Sequence, residues 1–175
     1  MIFKKNIIKG SFDVELNKAG DDRGFFSRIY CSQEFKKNNI TSNITQANLS
    51  FSKIKGTIRG MHYQLNPSSE MKAVRCVSGS LFDVIIDLRK NSKTFKQWYG
   101  IKLCSKQKNM IIVPEGCAHG FQTLEENTEA LYLVSKDYDP KLEKGIRWND
   151  ENFGIKWPLE VSEISKKDKN WPDFI

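Results

Sequence analysis

Apolar and polar positions in this 175-residue chain trade places every one or two residues, in short runs. Gln46-Ala47-Asn48-Leu49-Ser50-Phe51 alternates strictly, which is the period of a strand. Ala47, Leu49 and Phe51 fall on one face, and Gln46, Asn48 and Ser50 on the other. Phe12–Leu16 shows the same apolar–polar step. Met71–Val77 predicts another strand, closed by the turn residues Ser78-Gly79-Ser80, and Leu81–Leu88 is short and β-branched. Trp98–Cys104, Met110–Val113, Gly120–Leu124 and Glu129–Val134 continue the series at the spacing of a sandwich or barrel. Helix is scarce. Ser32–Asn38 predicts one short helix with Ser32 as N-cap, and the tail from Pro140 onward reads as loop with a helical turn or two. The pattern predicts an all-β fold, a double-sheet jelly roll or small barrel with a few short helices, able to enclose a pocket. The polar face of Gln46 and Asn48 then has two readings. It faces water in an ordinary strand, or it lines the cavity of a pocketed barrel.

Composition narrows this picture. Length and a 39% hydrophobic share predict one globular domain over residues 1–175. No apolar run approaches the roughly 20 residues that span a bilayer, and Met1-Ile2-Phe3-Lys4-Lys5 is too charged for a secretory core, so a cytoplasmic protein is expected. Cys31, Cys76, Cys104 and Cys117 form no C-x-x-C pair and read as reduced packing residues. Cys117, two residues before His119, could alternatively be a nucleophile, a reading ranked below packing. The net charge of +7 permits nucleic-acid binding but equally suits a small anionic substrate. The lysines are scattered and no nucleic-acid motif is present.

Chemistry concentrates around the only two histidines. One lies in Arg59-Gly60-Met61-His62-Tyr63-Gln64, the other in Pro114-Glu115-Gly116-Cys117-Ala118-His119-Gly120-Phe121. Histidine moves protons near neutral pH, so two of them in glycine-marked, strand-like segments suggest proton chemistry inside a β-structure. A three-histidine metal site is impossible by count. A mixed site of His62, His119 and a carboxylate stays open by counting alone. Taken singly, most other candidates are ordinary. Tyr132 reads as a core strand tyrosine, Asp168 as a carboxylate in a solvated lysine-rich run, and Tyr138 as a turn residue. Lys72 in an apolar strand is different, because a lysine that points inward needs a reason. Asp22, Asp83 and Asp87 read as structural carboxylates. Arg75 reads either as a carboxylate partner or as a substrate contact.

Several words in one order carry a resemblance. Asp22-Arg23-Gly24-Phe25-Phe26, Gln46-Ala47-Asn48, the His62 word, Lys72-Ala73-Val74-Arg75, Phe82-Asp83-Val84-Ile85-Ile86-Asp87, the His119 word and Gly145-Ile146-Arg147-Trp148 follow one another in register. From about Phe12 to Asp168 the chain resembles the dTDP-4-dehydrorhamnose 3,5-epimerase family, nucleotide-sugar epimerases of the cupin class. The resemblance implies a jelly-roll homodimer with a nucleotide-diphosphate sugar as substrate, without cofactor, metal, nucleic acid or membrane. The usual reaction converts dTDP-4-dehydro-6-deoxy-D-glucose to dTDP-4-dehydro-L-rhamnose, a precursor for surface polysaccharide. The C4 ketone acidifies the C3 and C5 hydrogens, so a base removes a proton on one face and an acid returns one on the other. By resemblance the catalytic residues are His62 as base, Asp168 as its orienting carboxylate, Lys72 against the enolate and Tyr132 as acid. The implied binding residues are Arg23 and Arg59 for the diphosphate, Gln46, Asn48, His119, Glu143 and Lys167 for the nucleotide sugar, and Tyr138 for the base.

Two departures bear on the substrate. The best-known members carry a glutamate where this chain has Arg28, and an aspartate is common where it has Ala47. They leave the proton chemistry untouched but open the choice of nucleotide (CDP- or GDP-linked sugars included) and of C3, C5 or both. A metal-dependent cupin enzyme and a non-catalytic sugar-nucleotide-binding cupin are the alternatives from other classes.

Overall fold

The computed structural model describes residues 1–41 and 43–175. Along the chain run β1 (Ile2–Lys5), β2 (Phe12–Glu15), the hairpin β3 (Ala19–Asp21) and β4 (Gly24–Phe26), helix α1 (Ser32–Lys37), β5 (Gln46–Ser52), β6 (Thr57–Gln64), β7 (Lys72–Ser78) and β8 (Ser80–Asp87). There follow β9 (Trp98–Cys104), β10 (Met110–Val113), β11 (Cys117–Thr123), β12 (Thr128–Val134), β13 (Glu143–Gly145), β14 (Glu163–Ile164) and α2 (Lys166–Lys169). One sheet has the order β1-β2-β10-β7-β12-β5 and the other β13-β6-β11-β8-β9, with β14 added in parallel to β6. Non-sequential neighbours in both sheets make this a jelly roll rather than a meander.

Burial explains why some strands alternate and others do not. Between the sheets, Val74, Ile111, Val113 and Ala130 meet Leu81, Ile85, Leu103 and Phe121. The far face of the first sheet is covered in part by Phe35 of α1, which packs with Phe12, Met71 and Ile112. The far face of the second takes Ile146, Phe153 and the tail residues Trp157 and Phe174 against Met61, Val84 and Ile86. Strands buried on both faces read as continuous apolar runs, hence Met110–Val113 and the middle of β8.

Two expectations need correction. The N-cap of α1 is Cys31, with no side-chain cap bond, and Ser32 is the first helical residue. Strand β11 begins at Cys117, three residues before the predicted start, so His119 lies within it. Ala47, Leu49 and Phe51 decide between the two readings of β5. A strand's apolar face normally faces the core, yet all three are exposed, Leu49 by 63%.

The feature that positions the site is a bulge in β6. His119 pairs with His62 and Phe121 with Arg59, so β6 uses three steps where β11 uses two. The extra residue resets the alternation, and Arg59 and His62 both face inward although three positions apart. It is accommodated where Gly60 (φ +130) meets Gly120. A Cβ on Gly60 would lie 2.5 Å from the Gly120 Cα. Gly60→Ala is therefore expected to cost about 1–3 kcal/mol, read as a lower urea midpoint at an unchanged m-value.

Candidate active site

A cavity of about 580 Å³ opens between the two sheets. Its first wall is the inner face of β5, β7 and β12. There Tyr132 is the direct neighbour of Asn48, and Lys72 and Gln46 both flank Val134. The opposite wall carries Arg59, His62 and Gln64 from β6 and His119 from β11. Glu143 of β13, Tyr138, and Ser165, Lys167 and Asp168 at α2 close one end. The polar face of β5 thus lines the cavity.

Helix α2 delivers a carboxylate to His62. Ser165 caps it by accepting the Asp168 backbone N–H at 3.0 Å, and β14 ties this segment to β6. Asp168 Oδ1 lies 2.6 Å from His62 Nε2, and the Gly60 N–H donates to Oδ2 at 3.2 Å. Burial pushes the Asp168 carboxyl up, but His62, the Gly60 N–H and Ser165 outweigh it and hold the group below its ordinary range. A carboxylate on Nε2 leaves Nδ1 as the ring nitrogen free to take a proton. Trp171 packs edge-on to the His62 ring, 6.3 Å between centroids.

Tyr132 lines the cavity from the other sheet, its ring centroid 6.0 Å from that of His119. Burial pushes its phenol well up, with Asp83 adding to the effect and Arg59 and Ser50 opposing it, so the group stays protonated. Lys72 is half-hidden and pairs with Glu70 at 3.1 Å, and Glu70 also accepts from Gln64. Glu143 accepts from both Lys167 and the Tyr138 hydroxyl. Burial raises the Glu143 carboxyl, but those two partners bring it net below its usual range. Arg59 donates to Ser52 and to the Phe51 carbonyl. Proton-handling groups on facing walls, with a cation on the Tyr132 wall, can move a proton from one face of a flat intermediate to the other.

Eleven of the twelve residues singled out from sequence line this cavity: His62, Tyr132, Asp168, Lys72, Gln46, Asn48, Arg59, His119, Tyr138, Glu143 and Lys167. Arg23 does not. It sits on the exposed β3–β4 hairpin with its guanidinium on Asp21 at 3.1 Å. Arg28 also lies outside, 3.7 Å from Glu34. Arg75 is buried and not among the cavity-lining residues, and among the described residues it has no carboxylate ion pair and an unpartnered Nε. Cys117 is buried, and burial pushes its thiol up to about 12, the state of a packing residue rather than a nucleophile. Sequence reasoning missed Asp83, which binds His119 Nε2 at 2.9 Å, and also Glu70 and Trp171. A lone carboxylate in the apolar run Phe82-Asp83-Val84-Ile85-Ile86 was the available signal for the first. Among the described residues no three His, Cys, Asp or Glu side chains gather as a metal site.

Sheets and site together define a cupin jelly roll built for proton transfer. Residues 5–175 match the family model described as dTDP-4-dehydrorhamnose 3,5-epimerase. The chain is 43% identical over 175 residues to the dTDP-4-dehydrorhamnose 3,5-epimerase of Salmonella typhimurium, covering 98% of this chain and 94% of that one. Among solved structures, the Bacillus anthracis enzyme with TDP and PPi bound superposes with a TM-score of 0.95 at 37% identity, covering 99% of each chain. The Legionella pneumophila enzyme in complex with dTDP-4-keto-L-rhamnose gives 0.92 at 33%, covering 98% and 92%. The chain belongs to the dTDP-4-dehydrorhamnose 3,5-epimerase family, and its enzyme class is isomerase. Asp168→Asn removes the ionised acceptor on Nε2. Turnover is expected to fall about 10³-fold or more while circular dichroism stays unchanged.

Proposed function

We propose that this protein inverts C3 and C5 of dTDP-4-dehydro-6-deoxy-D-glucose to form dTDP-4-dehydro-L-rhamnose. The observation that carries this reading is the pair of proton-handling groups on facing walls, His62 with Asp168 on one and buried Tyr132 on the other. His62 takes the proton next to the ketone through Nδ1, and Asp168 stabilises the imidazolium that forms. The electron pair moves onto the carbonyl oxygen, where the Lys72 ammonium holds the developing charge. Tyr132 returns a proton to carbon on the opposite face, and its phenolate is later reprotonated. Arg59 binds the diphosphate. Gln46, Asn48, His119, Glu143 and Lys167 bind the remainder, with Tyr138 stacking on the base. The net charge of +7 suits a dianionic linker, and the cytoplasm is the compartment we assign.

The acting unit is a homodimer. The exposed Leu49 and Phe51 on the outer face of β5 support a self-complementary surface there, and Phe26 on the hairpin is a further exposed apolar side chain at 76%. Sedimentation is expected to give twice the 20.2 kDa chain mass, and Leu49→Glu with Phe51→Glu to give the monomer.

Proton NMR in deuterated water tests the chemistry. Wild-type protein should place deuterium at both C3 and C5 of the dTDP-4-keto sugar. His62→Ala should slow this by about 10²–10⁴-fold. Tyr132→Phe should slow net inversion more than wash-out of the first proton. No exchange by wild-type protein would end the epimerase reading, and exchange at one carbon alone would reduce it to a mono-epimerase.

A further inference from the structure

The cavity holds a second histidine–carboxylate pair one strand from the first. His119 and His62 are direct cross-strand partners on β11 and β6, so their rings stand on one face of the sheet. The two pairs have opposite surroundings. Asp168 is bound by His62, the Gly60 N–H and Ser165. Asp83 is 0% exposed and has a single partner: Oδ2 lies 2.9 Å from His119 Nε2, and Oδ1 has none among the described residues. A full negative charge there would leave a desolvated oxygen uncompensated. Lys72 is the nearby cation, but its ion partner is Glu70. Burial, accordingly, pushes the Asp83 carboxyl up, and His119 and Lys72 offset only part of that. A neutral carboxyl needs one acceptor for its O–H, and His119 Nε2 stands in that place. The ring proton then sits on Nδ1, which has no protein partner among the described residues, on a ring that lines the cavity.

We propose that Asp83 and His119 form an uncharged, proton-bearing pair that presents the His119 Nδ1–H to the carbonyl oxygen of the sugar beside the Lys72 ammonium. Two donors then hold the enolate oxygen. This deepens the epimerase reading and rests on it. No bond to the protein forms and no proton leaves the pair. His62 takes the proton from carbon, the electron pair settles on oxygen between Lys72 and His119, and Tyr132 supplies the proton that returns to carbon. Asp83 touches no reacting atom and is a positioning residue, acting through His119. The groups facing His119 are Asp83 from β8, Lys72 from β7, Tyr132 from β12 with ring centroids 6.0 Å apart, and His62 from β6.

With two histidines in the chain, ¹⁵N-histidine NMR resolves the ring protons, and a His62→Asn spectrum assigns them. At pH 7.5 the His119 proton is expected on Nδ1. A neutral ring protonated only on Nε2 would overturn the proposal. Kinetics give the second readout. The side-chain amide introduced by Asp83→Asn can donate to Nε2 as the carboxyl does, so the kcat of that variant should stay within about tenfold of wild type. Asp83→Ala should lose about 10²–10³-fold in kcat with KM changed less than about threefold. A loss in Asp83→Asn as large as in Asp83→Ala, with both variants folded by circular dichroism, would also overturn it. Wild-type exchange in deuterated water separates this outcome from failure of the epimerase reading itself.

Discussion

The backbones of β6 and β11 touch at Gly60 and Gly120, with no room for a Cβ between them. The rest of the site hangs on that contact. The bulge it houses turns Arg59 and His62 to the same side of the sheet, which a regular strand cannot do across three residues. It also aims the Gly60 N–H at Asp168, so the strand that carries the histidine helps hold that histidine's carboxylate. Strand β14 then joins the start of β6 at Thr57 and Ile58 and brings Ser165 and α2 with it. His62, its carboxylate partner Asp168 and the cationic Arg59 therefore share one strand's neighbourhood.

Inversion at carbon needs groups on both faces of a planar intermediate, and two packed sheets supply two walls. The jelly roll places His62 on one and Tyr132 on the other. Environment then separates groups of the same chemical type. Two aspartates each meet a histidine Nε2, yet one has further donors and is held low, while the other is buried with an oxygen to spare and is pushed up. Burial and hydrogen-bond count together move identical side chains in opposite directions.

The first sheet shows the cost of enclosing polar chemistry. Strand β5 turns Gln46, Asn48 and Ser50 inward, and the same alternation forces Ala47, Leu49 and Phe51 outward. An apolar strand face left in water is unfavourable by roughly 25 cal/mol per Å², so the polar cavity and the apolar exterior are one constraint seen from two sides.

Most strands were legible because strand period and turn residues are local properties. Trp98–Cys104 and Met110–Val113 match their predicted bounds, and β7, β8 and β12 shift by one residue. The site was legible through a resemblance spread over many words, which reached Asp168 although its lysine-rich surroundings say solvent. Asp83 escaped because a single carboxylate in an apolar run shows burial but not its partner. Arg23 is chemically apt, yet one chain leaves it on an exposed hairpin, since its distance from the cavity is not a local property. By itself the sequence determined the all-β class, the strands and the residue types able to move a proton. Only the tertiary structure decided which face of β5 is inside, how Arg59 and His62 come to point the same way, and which carboxyl is pushed up and which is held low. Those depend on bulges, cross-strand neighbours and desolvation, none of which has a period along the chain.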